Sequence, residues 1–239
     1  MVIIPARLQS TRLKNKVIAK IGNLPMVIKT ALTAKEVDNV VVAVDSLEVL
    51  NICKKYKIDA VMTNKNHKSG TDRVYEASTI LGLSSDEVII NLQADEPFIE
   101  PENLQLLIET VKKHRLNSSV IMNSCYKTIT EEEAKNPNIV KVVLDNSSFG
   151  IYFSRSIIPF YRNNDYQKSF YGHIGIYGYT KKGLETFCNL PISPLEEIEK
   201  LEQLRTIYHS FKVAMVKVKT NSFGIDTEEE LKKAQGFIK

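Results

Sequence analysis

Four cations follow the first apolar run, in Pro5-Ala6-Arg7-Leu8-Gln9-Ser10-Thr11-Arg12-Leu13-Lys14-Asn15-Lys16. Arg7 and Arg12 can each fork onto phosphate oxygens, and Lys16 can act as a point charge. Ser10 adds a hydroxyl beside them. The segment lacks the glycines of a Walker A loop or a dinucleotide fingerprint. It reads either as a solvated basic loop or as a cradle for a polyphosphate placed after the first strand. Two acidic positions complement it. Asp95 and Glu96 stand in Gln93-Ala94-Asp95-Glu96-Pro97, where a carboxylate can hold Mg²⁺ beside phosphate oxygens or simply open the turn before the proline. Asp226 precedes Thr227 and Glu230, which suit a capping box. Asp226 is then either an upstream neighbour turned toward a site or itself the cap.

Two weaker signals accompany these. His67-Lys68-Ser69-Gly70-Thr71-Asp72-Arg73 is a glycine-containing loop opening a helix, able to offer backbone groups to a base or sugar. His173 lies among Gly172, Gly175 and Gly178 with Tyr171, Tyr177 and Tyr179 between them. Strand alternation turns it the same way as Gly175 and Tyr177. A lone histidine of this kind is more often structural than catalytic.

The elements that must position these residues alternate. Strands are expected at Val2–Ile4, Val40–Val44, Ala60–Met62 and Val88–Leu92, with helices at about Pro25–Glu36, Leu47–Tyr56 and Arg73–Leu81 between them. Strands apolar on both faces, separated by helices, imply an α/β fold: a doubly wound, mostly parallel sheet flanked by helices. Ligands of such sheets bind beyond the carboxyl ends of the strands, where the unusual residues cluster. Further on, Pro101–His114 has a helical apolar face, and strands are expected at Val120–Met122, Val140–Leu144 and Ile174–Tyr179. Ser193-Pro194-Leu195-Glu196 opens a helix to about Tyr208, a strand follows at Val213–Val218, and a last helix begins near Glu228. The expected layout is one domain over 1–239 with a smaller inserted subdomain at roughly 119–176.

Composition excludes several classes. Lys plus Arg is 32 against 28 Asp plus Glu, a net +4, too small a surplus for a nucleic-acid binder. With 43% hydrophobic residues, 10 Gly and 8 Pro, the chain is neither disordered nor low-complexity. No apolar run approaches the length of about 18 residues that spans a membrane, and the first residues carry no signal-peptide pattern. The three cysteines, Cys53, Cys125 and Cys188, form neither a disulfide framework nor a zinc spacing. A cytoplasmic protein with no nucleic-acid partner and no membrane insertion is expected.

At the motifs above, the sequence resembles the 3-deoxy-D-manno-octulosonate (Kdo) cytidylyltransferases, or CMP-Kdo synthetases. The resemblance rests on Ile4-Pro5-Ala6-Arg7, Ser10-Thr11-Arg12-Leu13, His67–Arg73 and Gln93–Pro97. It continues through Asn136-Pro137-Asn138, Val140–Asp145, Tyr152–Arg155 and His173–Tyr179. Ser193–Glu196, Leu201–Arg205 and Gly224–Thr227 complete it, in the family's order and across almost the whole chain. It implies a nucleotidyltransferase that joins CTP and Kdo into CMP-Kdo with release of pyrophosphate, for lipopolysaccharide biosynthesis, with Mg²⁺ and usually as a homodimer joined through the inserted portion. Carried over by position, Arg7, Ser10, Arg12 and Lys16 match the triphosphate loop, and Ser69, Thr71 and Arg73 fall in the nucleotide-binding segment. Asp95 and Asp226 match the metal ligands and, with Arg12 and Lys16, the catalytic set. Gln93, Arg155, His173, Tyr177, Glu202 and Gln203 match positions near the sugar acid. Two departures stand out: Lys14-Asn15 replaces a common Pro-Gly, and Ala94 replaces a common Gly. Neither removes a charge, so altered kinetic constants rather than lost activity are expected. Two rivals stay open, a cytidylyltransferase for a modified sugar acid such as an amino analogue, and a non-catalytic nucleotide- or RNA-binding module.

Overall fold

Val2–Ala6 is buried at every position and forms β1; five successive residues buried on both faces are what a central parallel strand requires. Pro5, which has no N–H to donate, lies past the last residue of β1 paired on one side, where β6 (Val88–Asn91) stops at the Ile3–Asn91 register. The computed structural model describes residues 1–9, 13–163 and 167–236. Ser10 and Arg12, two of the expected phosphate-binding residues, lie outside the described residues.

The chain divides into two units, Met1–Gln105 with Thr220–Lys239, and Leu106–Lys219. In the first, β1 leads through a hairpin, β2 (Lys20–Ile21) and β3 (Leu24–Pro25), into α1 (Met26–Lys35). The hairpin turns at Gly22, whose φ of 61° suits glycine. β4 (Val40–Val44), α2 (Leu47–Lys55), β5 (Asp59–Met62), α3 (Gly70–Ile80) and β6 follow. The sheet of this unit is parallel in the order β6-β1-β4-β5. Its strand order reverses beside β1, so the carboxyl ends of β1 and β6 flank the switch point at which ligands of such sheets bind.

Helix starts follow local chemistry. Ser46 accepts the Val49 N–H and caps α2, while Lys54 and Lys55 close its negative end. Ser69 accepts the Asp72 N–H at 3.0 Å, so α3 begins at Gly70 rather than at the expected Arg73. A side chain at Gly70 would come 3.2 Å from Pro5 and 3.4 Å from Gln93, which is why the first turn of α3 can lie against the end of β1. α4 (Pro101–His114) matches its expected bounds, with proline at the first position.

In the second unit come β7 (Val120–Ile129), α5 (Glu131–Lys135), β8 (Lys141–Leu144), β9 (Gly150–Ser154), β10 (Phe170–Thr180), α6 (Lys181–Asn189), α7 (Pro194–Glu199), α8 (Gln203–Tyr208) and β11 (Lys212–Lys217). β7 pairs in parallel with β11 and antiparallel with β10. β10 also pairs with β8, and β8 with β9, both antiparallel. The expected 119–176 insertion falls inside this unit, which extends further on both sides. The single helix expected from Ser193 to Tyr208 is two. Lys200 takes the left-handed conformation (φ 54°, ψ 48°); the Glu196 N–H keeps its cap on Ser193 Oγ at 3.1 Å, while its carboxylate pairs bidentately with Arg205 at 2.7 and 2.5 Å. Arg205 also stacks on Phe187 at 4.6 Å, so a buried ion pair folds the two short helices together.

The chain then returns to the first unit as α9 (Glu228–Gly236). Its Ala234 packs with Leu13, Ile21, Met26 and Ile225 in one buried cluster. That contact fixes the loop carrying Asp226 beside the segment carrying Lys16. No helix among the described residues is long and apolar enough to cross a membrane.

Candidate active site

At the switch point in the first unit, Lys16 opens a short 3-10 turn, Lys16–Ile18, whose preceding residue Asn15 is left-handed (φ 53°, ψ 34°). Asparagine tolerates that conformation better than most residues, so the turn forms without a glycine. The Lys16 ammonium donates to Asp226 Oδ1 at 2.7 Å and to Asp95 Oδ2. Burial alone would lower the Lys16 pKa, but the two carboxylates outweigh it and the net shift is upward. Lys16 therefore stays charged, bridging two acids 131 positions apart in sequence.

The approach of those acids is built in. Ile225 N–H donates to the Asp95 carbonyl at 3.0 Å. Thr227 and Glu230 close the expected capping box, Glu230 N–H to Thr227 Oγ1 at 3.2 Å and Thr227 N–H to Glu230 Oε2 at 2.9 Å. With the cap supplied by those residues, the Asp226 carboxylate turns to Lys16. Glu96 stands close by: burial, then the charges of Asp95 and Asp226, push its carboxyl up to about 8.

A cavity of about 270 Å³ opens at this cluster. Arg7 and Lys16 line it from the β1 side, Ser69 and Arg73 from α3, and Gln93, Asp95 and Asp226 from the remaining loops. Arg73 is only 2% exposed. It donates to Thr63 Oγ1 at 2.6 Å and the Asn64 carbonyl at 3.3 Å, and pairs with Asp45 at 3.5 Å. Asp45 in turn accepts the Leu8 N–H at 3.0 Å. Arg73 thus braces the loops after β1, β4 and β5 as well as facing the cavity. Thr71 is buried and accepts from Asn91 at 3.1 Å, and Asn91 accepts from Gln93 at 3.1 Å. Thr71 therefore orients Gln93 at one remove, and Gln93 belongs to the first unit. No sequence motif marks Asp45 or Asn91, because each acts through burial and partners.

Arg155, His173, Tyr177, Glu202 and Gln203 all lie in the second unit. Strand alternation fails on β10, where the register against β7 shifts between Ile174 and Tyr177. The His173 and Tyr177 rings still come within 5.6 Å. Ser124 Oγ reaches the carbonyls of Ile176 at 2.7 Å and Ile174 at 3.1 Å, and His173 Nε2 at 2.8 Å. A hydroxyl has one proton, and the carbonyls take it, so Nε2–H donates to Ser124 and Nδ1 carries the lone pair. Burial drives the His173 pKa down to about 3, which keeps the ring neutral.

Tyr177 is held protonated, its pKa raised well above the usual value by burial and then by Glu202. Its hydroxyl donates to Gln203 Oε1 at 3.1 Å. Gln203 is 1% exposed, and its Nε2 has no partner among the described residues. Leaving such a donor buried and unmade costs about 1–3 kcal/mol, which an oxygen-bearing ligand would relieve.

The His173 shift has a consequence for stability. Its folded pKa lies below the ordinary 6.5, so its contribution is complete above pH 6.5 and is lost as pH falls toward 3, when the unfolded chain takes up a proton that the folded one refuses. His173→Gln keeps a donor for Ser124 but cannot titrate. Urea unfolding at pH 7 and pH 4.5 is expected to show the variant losing roughly 2 kcal/mol less than the wild type over that interval. Equal losses would contradict the assignment.

Comparison with known proteins gives the family. The sequence model of the cytidylyltransferase family matches residues 1–216. Proteins named 3-deoxy-manno-octulosonate cytidylyltransferase are 54% identical in a Nitratiruptor species, 52% in Wolinella succinogenes and 50% in Helicobacter pylori. Each alignment covers 98% of this chain and at least 96% of the relative. The chain belongs to the 3-deoxy-manno-octulosonate cytidylyltransferase family. A solved CMP:2-keto-3-deoxy-manno-octonic acid synthetase, complexed with CTP, is 33% identical with a TM-score of 0.91, over 99% of this chain and 97% of the other. A glucose-1-phosphate thymidylyltransferase from Bacillus anthracis, 14% identical with a TM-score of 0.64, shares the fold. The doubly wound expectation is therefore met.

Proposed function

We propose that this protein transfers the cytidylyl group of CTP to Kdo, giving CMP-Kdo and pyrophosphate for lipopolysaccharide biosynthesis, as a Mg²⁺-dependent cytoplasmic homodimer. The observation that carries the reading is the convergence of Asp95, Asp226 and Lys16 on one edge of a cavity that Arg7 also lines. The family supplies the substrates.

Two carboxylates directed at one cationic group form an all-oxygen donor set of the kind Mg²⁺ takes, with phosphate oxygens and waters completing its shell. No group of three or more acidic, histidine or cysteine ligands occurs among the described residues, which fits a metal carried largely by the nucleotide. Asp95 and Asp226 are the residues that would hold it. Bound there, it would neutralise phosphate charge and lower the pKa of the attacking hydroxyl.

The chain's own residues do the positioning. The anomeric hydroxyl of the sugar acid attacks the α-phosphorus, the bond to the bridging oxygen breaks, and pyrophosphate leaves with Lys16 and Arg7 as its counter-charges. Arg155 takes the sugar's carboxylate. Gln203 Nε2 donates to a sugar oxygen, and His173 Nδ1 accepts from a sugar hydroxyl. No side chain is assigned as general base.

The test is kinetic. Pyrophosphate release is expected with CTP plus Kdo and Mg²⁺, and to fall by at least about 10²-fold when UTP or ATP replaces CTP or when Mg²⁺ is removed. Faster turnover of an amino analogue than of Kdo would move the assignment to that sugar.

A further inference from the structure

Lysine is seldom fully buried, yet Lys141 on β8 is 0% exposed. Its ammonium has three N–H groups, and each reaches a backbone carbonyl: Asn136 at 2.9 Å, Ile139 at 2.6 Å and Arg155 at 2.6 Å. Burial lowers the Lys141 pKa, with Glu199 opposing and Arg155 adding to the effect. Lys141 and the guanidinium of Arg155 are thus electrostatic neighbours.

The carbonyls it ties down are those that aim Arg155. One belongs to Arg155 itself. The other two flank Pro137, whose carbonyl accepts from Arg155 Nη1 at 3.1 Å. On its other side, Arg155 is fixed by Glu199: Nε donates to the Glu199 carbonyl at 2.8 Å, and the backbone N–H donates to Glu199 Oε2 at 2.9 Å. These bonds engage Nε and Nη1 of the guanidinium. Its Nη2 has no partner among the described residues.

We propose that Lys141 is a positioning residue for recognition of the sugar acid's carboxylate, acting through Arg155. By closing the Asn136–Ile139 turn onto the backbone of Arg155, it fixes both the origin of the side chain and the carbonyl that receives one end of the fork. The Nη2 amino group is then held ready for a carboxylate, which a fixed donor binds with less loss of freedom. An apolar residue of the same length would fill the same volume and leave those carbonyls unpaired. The proposal rests on the reading of Arg155 as the carboxylate-binding group.

A double-mutant cycle on the full-length protein tests it, with initial rates of pyrophosphate release for Lys141→Met, Arg155→Ala and the pair. Lys141→Met is expected to raise KM for the sugar acid about tenfold, because small displacements of a positioned group are costly. KM for CTP should stay within about twofold, and the pair should be no worse than Arg155→Ala alone. A merely structural lysine would shift both substrates alike and add to Arg155→Ala. Additive losses, or an unchanged sugar-acid KM in Lys141→Met, would overturn the proposal. An unchanged sugar-acid KM in Arg155→Ala would instead overturn the reading of Arg155 beneath it. If Lys141→Met no longer binds CTP, Lys141→Gln, which keeps an amide donor, enters the same cycle with the same outcomes.

Discussion

Asp95→Asn is expected to cut turnover by at least about 10²-fold at saturating CTP and Kdo, the scale seen when one electrostatic contributor to a transition state is removed. The substitution is nearly isosteric, and an amide oxygen can still accept from Lys16, so the loop that Asp95 shares with Ile225 should keep its form. The loss is one negative charge at the place where Asp95 and Asp226 converge. Raising Mg²⁺ should recover only part of the rate, because the remaining carboxylate has lost its partner. Thermal melting within a few degrees of the wild type would show that the fold is intact. Near-normal turnover at saturating Mg²⁺ would remove Asp95 from the proposed metal site.

Lys16→Met should act in two directions. The ammonium sits between the two acids, with side-chain exposures of 14% for Lys16, 21% for Asp95 and 35% for Asp226. It thus stands between the two carboxylates proposed to hold a divalent cation. Two unit charges about 4 Å apart interact by roughly 4 kcal/mol at an effective dielectric of about 20, and partial exposure reduces that to about 1–2 kcal/mol. Removing the ammonium is therefore expected to tighten nucleotide-free Mn²⁺ binding about tenfold, as measured by electron paramagnetic resonance. In the same variant kcat/KM for CTP should fall by about 10²-fold, because the leaving pyrophosphate loses a counter-charge. Weaker or unchanged Mn²⁺ binding would contradict the place-holding role of Lys16.

Where a residue's role depends on its own type and near neighbours, the sequence was readable. Val40–Val44 carries four valines and an alanine in a row and is β4 within the same bounds. Pro101 at the first helical position fixed the start of α4. Thr227 with Glu230 gave the cap of α9 and left Asp226 to turn elsewhere, which a sequence pattern can express. The same pattern stands at Thr130 and Glu133 and forms a capping box on α5, a helix too short to show a clear apolar period.

Roles set by distant partners were not readable. Glu196 matches a capping box by spacing, but Arg205 offers it a buried bidentate pair, and the expected long helix breaks at Lys200. Thr71 lies in the segment expected to bind nucleotide, yet its hydroxyl oxygen accepts from Asn91. Lys141 reads as a surface lysine, because nothing local says that three carbonyls will surround its ammonium. The alternation that placed His173 and Tyr177 on one face was interrupted by a bulge that only the pairing with β7 reveals.

The central claim is that a sugar acid and CTP become one molecule on this protein. Phosphorus NMR of CTP, Kdo, Mg²⁺ and the full-length chain tests it most directly. The account expects the triphosphate signals to give way to one phosphodiester resonance and pyrophosphate in equal amounts, with no change when Kdo is omitted. Intact CTP in the presence of Kdo, or CMP and pyrophosphate with no sugar ester, would contradict it.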